Sequence, residues 1–218
     1  MHDDDAPQGV VLSRRHAITL LGFAGAGALT PPALASCIVR PAQTEGPFFD
    51  DRMPQRSDIR AGKPGIPLQL TLNISQLTNA ACAPLAGAVV DLWHCDADGE
   101  YSDGTFLRGY QTTDASGAVK FTTIYPGWYS GRTVHIHFKI RGNSYAFASQ
   151  LYFDDAITDR VHARPLYARR GPRRVRNDRD EIYRDGGDQL MLQLAESNGG
   201  FASSFDVALQ NHRSFTRS

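Results

Sequence analysis

The sequence predicts an all-β fold, an antiparallel β-sandwich of about eight short strands. Three observations predict it. Residues 67–75 (PLQLTLNIS) alternate apolar and polar side chains strictly, further short apolar or β-branched runs recur along the chain, and clusters of turn-forming residues separate most of them. No helical stripe of any length interrupts the pattern, and there is neither an internal repeat nor a sign of a second folded domain.

Each strand has its own warrant. In residues 67–75, Leu68, Leu70, Leu72 and Ile74 share one face, as the two-residue period of a strand requires. Residues 88–95 (AVVDLWHC) are more uniformly apolar and end in Asp96-Ala97-Asp98-Gly99, a turn. Residues 108–113 and 118–123 flank Asp114-Ala115-Ser116-Gly117 and form a hairpin. A β-branched strand follows over residues 133–140, another over 145–153, and alternation returns over 189–194 and 205–209.

Outside the strands lie three stretches of different character. Residues 1–36 read as an export signal: Ser13-Arg14-Arg15-His16, a Gly/Ala-rich apolar run too short to span a bilayer, then small residues. The paired arginines resemble a twin-arginine address, with general secretion as the other route. Cleavage after Ala35 suits Ala33 and Ala35, while Leu34-Ala35-Ser36-Cys37 also resembles a lipobox that would place a lipid anchor on Cys37. Residues 37–66, rich in Pro, Gly, Asp and Arg, form an extended arm expected to pack over the sheet edge. The main domain then runs over residues 67–218.

That domain contains a long loop, residues 154–187, with nine arginines interleaved with seven acidic residues. It is expected to be a solvated loop with internal ion pairs that covers one side of the site. It lacks the aromatic platform of a nucleic-acid surface. Lys plus Arg and Asp plus Glu each total 23, so no net charge draws the chain to nucleic acid or an anionic membrane. Export implies an oxidising compartment and one disulfide among Cys37, Cys82 and Cys95, with any pairing allowed unless Cys37 carries lipid, which leaves Cys82 with Cys95.

The chemistry concentrates between residues 125 and 140 (YPGWYSGRTVHIHFKI). His135 and His137 are two apart on a strand, so both imidazoles project from one face. An isolated H-x-H is more often a wet sheet face than a metal site. Here Tyr129 precedes it on a turn marked by Pro126-Gly127 and Ser130-Gly131, and Arg132 stands at the strand entry. A phenol beside two imidazoles is a set of metal donors, and the arginine is near enough to stabilise anionic oxygen.

Taken in order, W-H-C-D-A-D-G-E-Y, F-L-R-G, T-I-Y-P-G-W-Y, R-T-V-H-I-H and Q-L-Y-F-D resemble the intradiol ring-cleavage dioxygenases, the family of the catechol and protocatechuate dioxygenases. The similarity runs from T-E-G-P-F-F at residue 44 to Leu190, and it is nearest to an exported, single-domain branch. The resemblance implies one non-haem Fe(3+) per chain held by Tyr101, Tyr129, His135 and His137, since a hard, highly charged ion favours phenolate. It implies catalytic roles for Arg132 beside the substrate ring, for Tyr129 as proton acceptor and, less directly, for Gln150 on the same wall. It further implies a catechol-type substrate and O2, with cleavage between the two hydroxyls to a cis,cis-muconate.

His94, Tyr110, Tyr125 and Tyr152 are read as packing residues, and His162 and His212 as lying outside the site. Nothing helical precedes the strands, so the helical dimerisation region of cytoplasmic relatives is missing, and the oligomeric state stays open. Four residues separate Tyr101 from F-L-R-G, shortening one pocket wall. The competing class is a noncatalytic transthyretin-like binding module, because fold alone does not specify function.

Overall fold

The computed structural model describes residues 37–78, 81–142 and 145–210. The export signal read over residues 1–36 and the position of His212 lie outside them. Among the described residues nine strands form two sheets: β1 Pro67–Thr78, β2 Ala81–Pro84, β3 Val89–Trp93, β4 Arg108–Thr112, β5 Ala118–Ile124, β6 His135–Arg141, β7 Ala146–Tyr152, β8 Ala195–Ser197 and β9 Gly200–Gln210. One sheet runs β2-β1-β9-β8, with β5 also paired to β1, and the other runs β4-β3-β6-β7.

The apolar faces of the two sheets share one core. Leu68, Leu70, Leu72 and Ile74 of β1 are buried as their alternation predicts, together with Val90 and Leu92 of β3 and Ile136, Phe138 and Ile140 of β6. The hairpin at residues 114–117 forms as read: the Asp114 carboxylate accepts from the backbone amides of Ser116 and Ala118.

Three features depart from the sequence reading. The sandwich is all-β but not wholly antiparallel, since β1 and β9 pair in parallel. These strands come from opposite ends of the domain, and everything between them serves as the long crossover that parallel pairing needs. Residues 189–194 do not make a strand. Left-handed Gly186 leads into a 3-10 turn at Gly187–Leu190, and only Met191 bridges to Tyr152 before β8 begins.

The third departure is the arginine-rich loop, which is partly helical. Helices α1 (Asp155–His162) and α2 (Pro165–Ala168) lie within it, and the Asp154 side chain caps α1 by accepting from the amides of Ala156 and Ile157. Eight residues are too few for an apolar stripe to declare itself. The expected internal ion pairs are present, Arg173 bonding Asp155 and Asp159, and Arg176 bonding Asp159.

The cysteines give the one disulfide and one free thiol expected, in one of the pairings the sequence left open. Cys37 is joined to Cys82, and Cys95 is a buried free thiol. The Cys37 sulfur is thereby occupied, so this disulfide and a thioether-linked lipid on Cys37 exclude one another. The Cys82–Cys95 pairing conditional on that lipid is not formed.

Candidate metal centre

β6 puts His135 and His137 on its outer face while Ile136 and Phe138 enter the core. Cross-strand register extends that face into rows, because directly paired residues project together. Trp93, His137 and Gln150 make one row, and His135 pairs with Tyr152 in the next. The Trp93 indole lies parallel to the His137 ring with centroids 5.1 Å apart, which fixes the plane of that imidazole.

The two tyrosines arrive on turns that are locked backbone to backbone. Asp96 holds the first turn by accepting from the amides of Asp98 and Glu100, and its carbonyl accepts from the Gly127 amide of the second at 2.9 Å. Only glycine fits at the contact. A Cβ on Gly99 would lie 2.1 Å from the Trp128 carbonyl oxygen, and one on Gly127 would lie 2.5 Å from the carbonyl oxygens of Asp96 and Ala97. Tyr101 and Tyr129 emerge with ring centroids 5.6 Å apart.

All four predicted donors therefore meet. The Tyr129 hydroxyl is 3.2 Å from His135 Nε2, which is 3.0 Å from His137 Nε2. His135 Nδ1 lies 2.7 Å from the Thr133 carbonyl, which can only accept, so Nδ1 carries the proton and Nε2 presents a lone pair to the cluster. The Tyr101 hydroxyl is buried without a hydrogen-bond partner, and so is His137 Nδ1.

Burial pushes the Tyr101 phenol well above its usual range and raises Tyr129 too, although the nearby Arg132 charge pulls Tyr129 back. Burial likewise depresses His135 to about 3 and His137 well below the normal histidine value, with Arg132 contributing to both. Packed alone, these groups are held neutral. A cation among them reverses each preference, drawing phenolate from phenol and using the bare imidazole nitrogens. An orphaned buried phenol, a fixed lone pair and two nitrogens in contact fit a metal ion.

Arg132 and Gln150 stand together, the guanidinium Nη2 donating to the Gln150 carboxamide oxygen at 2.6 Å. Arg132 Nε donates to Asp180 at 2.8 Å. The residues set aside as packing divide. His94 is buried, with its ring nitrogens 2.7 Å from the Cys95 carbonyl and 2.6 Å from the Thr123 hydroxyl, while Tyr125 bonds Thr158. Tyr152 is nearer the centre than its reading implied, since its hydroxyl donates to Gln43 and approaches Gln150. His162 bonds the Pro126 carbonyl, away from the donor cluster.

The arm contributes more than edge packing. Gln150 donates to the Thr44 carbonyl, Lys139 pairs with Glu45, Gly46 passes against His137, and Phe48 stacks on Tyr101 with centroids 4.0 Å apart. It thus roofs the outer face of β6, which explains why His135 and His137 are nearly as buried as the core residue Ile136 between them. T-E-G-P-F-F carried that signal only through the resemblance; its composition reads as loop. Beyond Phe48, a cleft of about 620 Å³ opens between Phe49, Ser102 and Arg108. A groove of similar volume between the start of the arm and the ends of β7 and β9 has none of the site residues in its lining.

The fold and site together define a two-sheet β-sandwich that gathers buried phenols and imidazoles around one point. Comparison narrows the class. Residues 44–210 match the family described as Dioxygenase, and the chain belongs to the intradiol ring-cleavage dioxygenases, a family of oxidoreductases.

Among solved structures, the chain is similar to an intradiol ring-cleavage dioxygenase from Tetranychus urticae, at 29% identity and a TM-score of 0.75, covering 82% of this chain and 98% of that one. It is also similar to the dioxygenase domain of a dioxygenase carbohydrate-binding protein fusion from Streptomyces sp. SirexAA-E, at 31% identity and a TM-score of 0.64, covering 79% and 99% respectively. A chlorocatechol 1,2-dioxygenase from Rhodococcus opacus is 29% identical over 143 residues, 50% of this chain and 54% of that protein. The chain thus spans about half the length of that curated relative.

Proposed function

We propose that this protein cleaves catechol-type aromatic diols between their two hydroxyls with O2, giving cis,cis-muconate-type products in the breakdown of aromatic compounds. One ferric ion would be held by Tyr101, Tyr129, His135 and His137. The observation that carries this reading is the convergence of His135 Nε2, His137 Nε2 and the Tyr129 hydroxyl, with the unpartnered Tyr101 hydroxyl beside them. A noncatalytic module has no use for that set.

When bound, ferric iron supplies the Lewis acidity that favours a doubly deprotonated catechol and draws electron density from its ring. The protein's own residues do the rest. Tyr129, partly buried at the end of its turn, receives a hydroxyl proton of the entering diol. Thr133 holds His135 in one tautomer through its carbonyl. Arg132 presents positive charge where negative charge develops on the substrate, a role that is worth most in a site shielded from water. Gln150 fixes the guanidinium, and the arm with Phe48 over Tyr101 excludes water from the donors.

The same reading places the protein outside the cytoplasm, with residues 1–36 as the address. The Cys37–Cys82 disulfide supports it, since such bonds persist in oxidising compartments. Incubating iron-loaded protein with catechol and O2 tests the activity: a muconate is expected, whereas a yellow ring-opened semialdehyde or unchanged substrate would overturn it. Export is tested by Arg14→Lys/Arg15→Lys. Loss of secretion supports the twin-arginine route, and normal secretion assigns the general one.

A further inference from the structure

We propose that Asp180, from the arginine-rich loop, is a positioning residue for the reaction and acts through Arg132. The inference rests on the functional reading above, which gives Arg132 its role beside the substrate. Among the acidic residues of that loop, Asp180 behaves differently from its neighbours. Asp155 and Asp159 pair with Arg173 and Arg176 at side-chain exposures of 26% and 45%, whereas the Asp180 side chain is 0% exposed.

Its two oxygens accept four hydrogen bonds. Oδ2 takes Arg132 Nε at 2.8 Å and the Thr133 amide at 2.7 Å, while Oδ1 takes the amides of Ile182 and Tyr183 at 2.9 Å each. The carboxylate is thus fixed to its own loop by one oxygen and grips the entry of β6 by the other. Gln150 holds a second point of the same guanidinium, Nη2, and is itself anchored to the Thr44 carbonyl. Two fixed points on a planar group determine both where the charge sits and how its plane is turned.

Asn177, in the same turn, accepts from the Thr133 hydroxyl at 2.7 Å, so the loop clamps residues 132 and 133 together. Outer partners of this kind set the geometry of the groups that meet substrate, and their loss costs about 10- to 100-fold in activity or affinity.

Asp180→Asn keeps the shape but has one acceptor oxygen where two serve four donors, and it removes the negative charge. Iron content and the visible band of the loaded protein should stay at wild-type levels. Turnover should fall about 10- to 100-fold, while the anaerobic dissociation constant for catechol moves by no more than about threefold. In an Arg132→Gln background the same substitution should change turnover by no more than about twofold, because the group it positions is gone.

Equal losses in both backgrounds, or no loss in the wild type, would overturn the positioning role. If Asp180→Asn does not fold, the same cycle with Asp180→Glu decides the matter. Glu keeps the charge and the acceptors but shifts them by one methylene, and the same dependence on Arg132 is expected. A wild-type protein that binds iron but does not cleave catechol would sink the functional reading and this role with it. A wild type that does cleave, with no coupling between the two residues, would sink this role alone.

Discussion

Replacing Cys37 and Cys82 by serine should lower stability by about 4 kcal/mol. The two cysteines are 45 residues apart in sequence, so the bridge closes a loop of that size in the unfolded chain. Closing a loop of roughly 45 residues removes about 13 cal/mol/K of chain entropy, or about 4 kcal/mol at 25 °C. For a domain of this size that corresponds to a fall in Tm of about 8–16 °C.

The effect acts on the unfolded state, so iron content and the native spectrum should not change. Urea unfolding of the double serine variant and the wild type, followed by the fluorescence of Trp93 and Trp128, measures it. Cys95 is buried and free in both proteins and does not complicate the comparison. Coincident unfolding curves, with both thiols open to alkylation in unfolded wild-type protein, would refute the reasoning.

Gly127→Ala should destabilise the fold by about 1–3 kcal/mol, the usual cost of forcing extra atoms into a packed site. Because the clash is with the carbonyls of the turn leading to Tyr101, it should also alter the visible band, which absorption of the loaded variant would show. His135→Ala and His137→Ala should each lose iron by metal analysis, whereas Tyr129→Phe should weaken colour and turnover together.

Asp96 gives a pH signature. Burial pushes its carboxyl up, but the Lys63 ammonium at 2.8 Å and the amides of Glu100 and Asp98 outweigh that and hold it below the usual range. Its contribution is therefore present above about pH 4 and is lost as pH falls through the depressed folded value. The difference in urea midpoint between wild type and Asp96→Asn should be largest near pH 7 and shrink steadily towards pH 2.

Much of this molecule is legible in local sequence. The alternation of residues 67–75 fixes which face of β1 is buried, Asp114 marks the hairpin, and H-x-H on a strand necessarily places two imidazoles side by side. What local pattern does not carry is partnership between distant segments. The parallel pairing of β1 with β9 depends on the whole intervening chain, and nothing in either strand specifies direction. The arm has no periodicity, yet it covers the donor face through backbone carbonyls, one ion pair and a stacked ring.

Asp180 illustrates the same limit from another side. In sequence it is one of seven acidic residues scattered among nine arginines, and only the fold turns it fully inward while the others keep part or all of their surface in solvent. Asp154, by contrast, carried a readable signal. A capping aspartate followed by Ile157 and Val161 at helical spacing announces α1, although eight residues are too few to outweigh the loop-like composition around it.

The absorption spectrum of the purified, iron-loaded protein, recorded without oxygen before and after catechol is added, goes to the heart of the proposed centre. Phenolate from Tyr101 and Tyr129 on ferric iron should give an intense visible band that shifts when a diol chelates the metal. An iron-containing protein that is colourless, or whose band ignores catechol, would contradict the assignment of these four side chains.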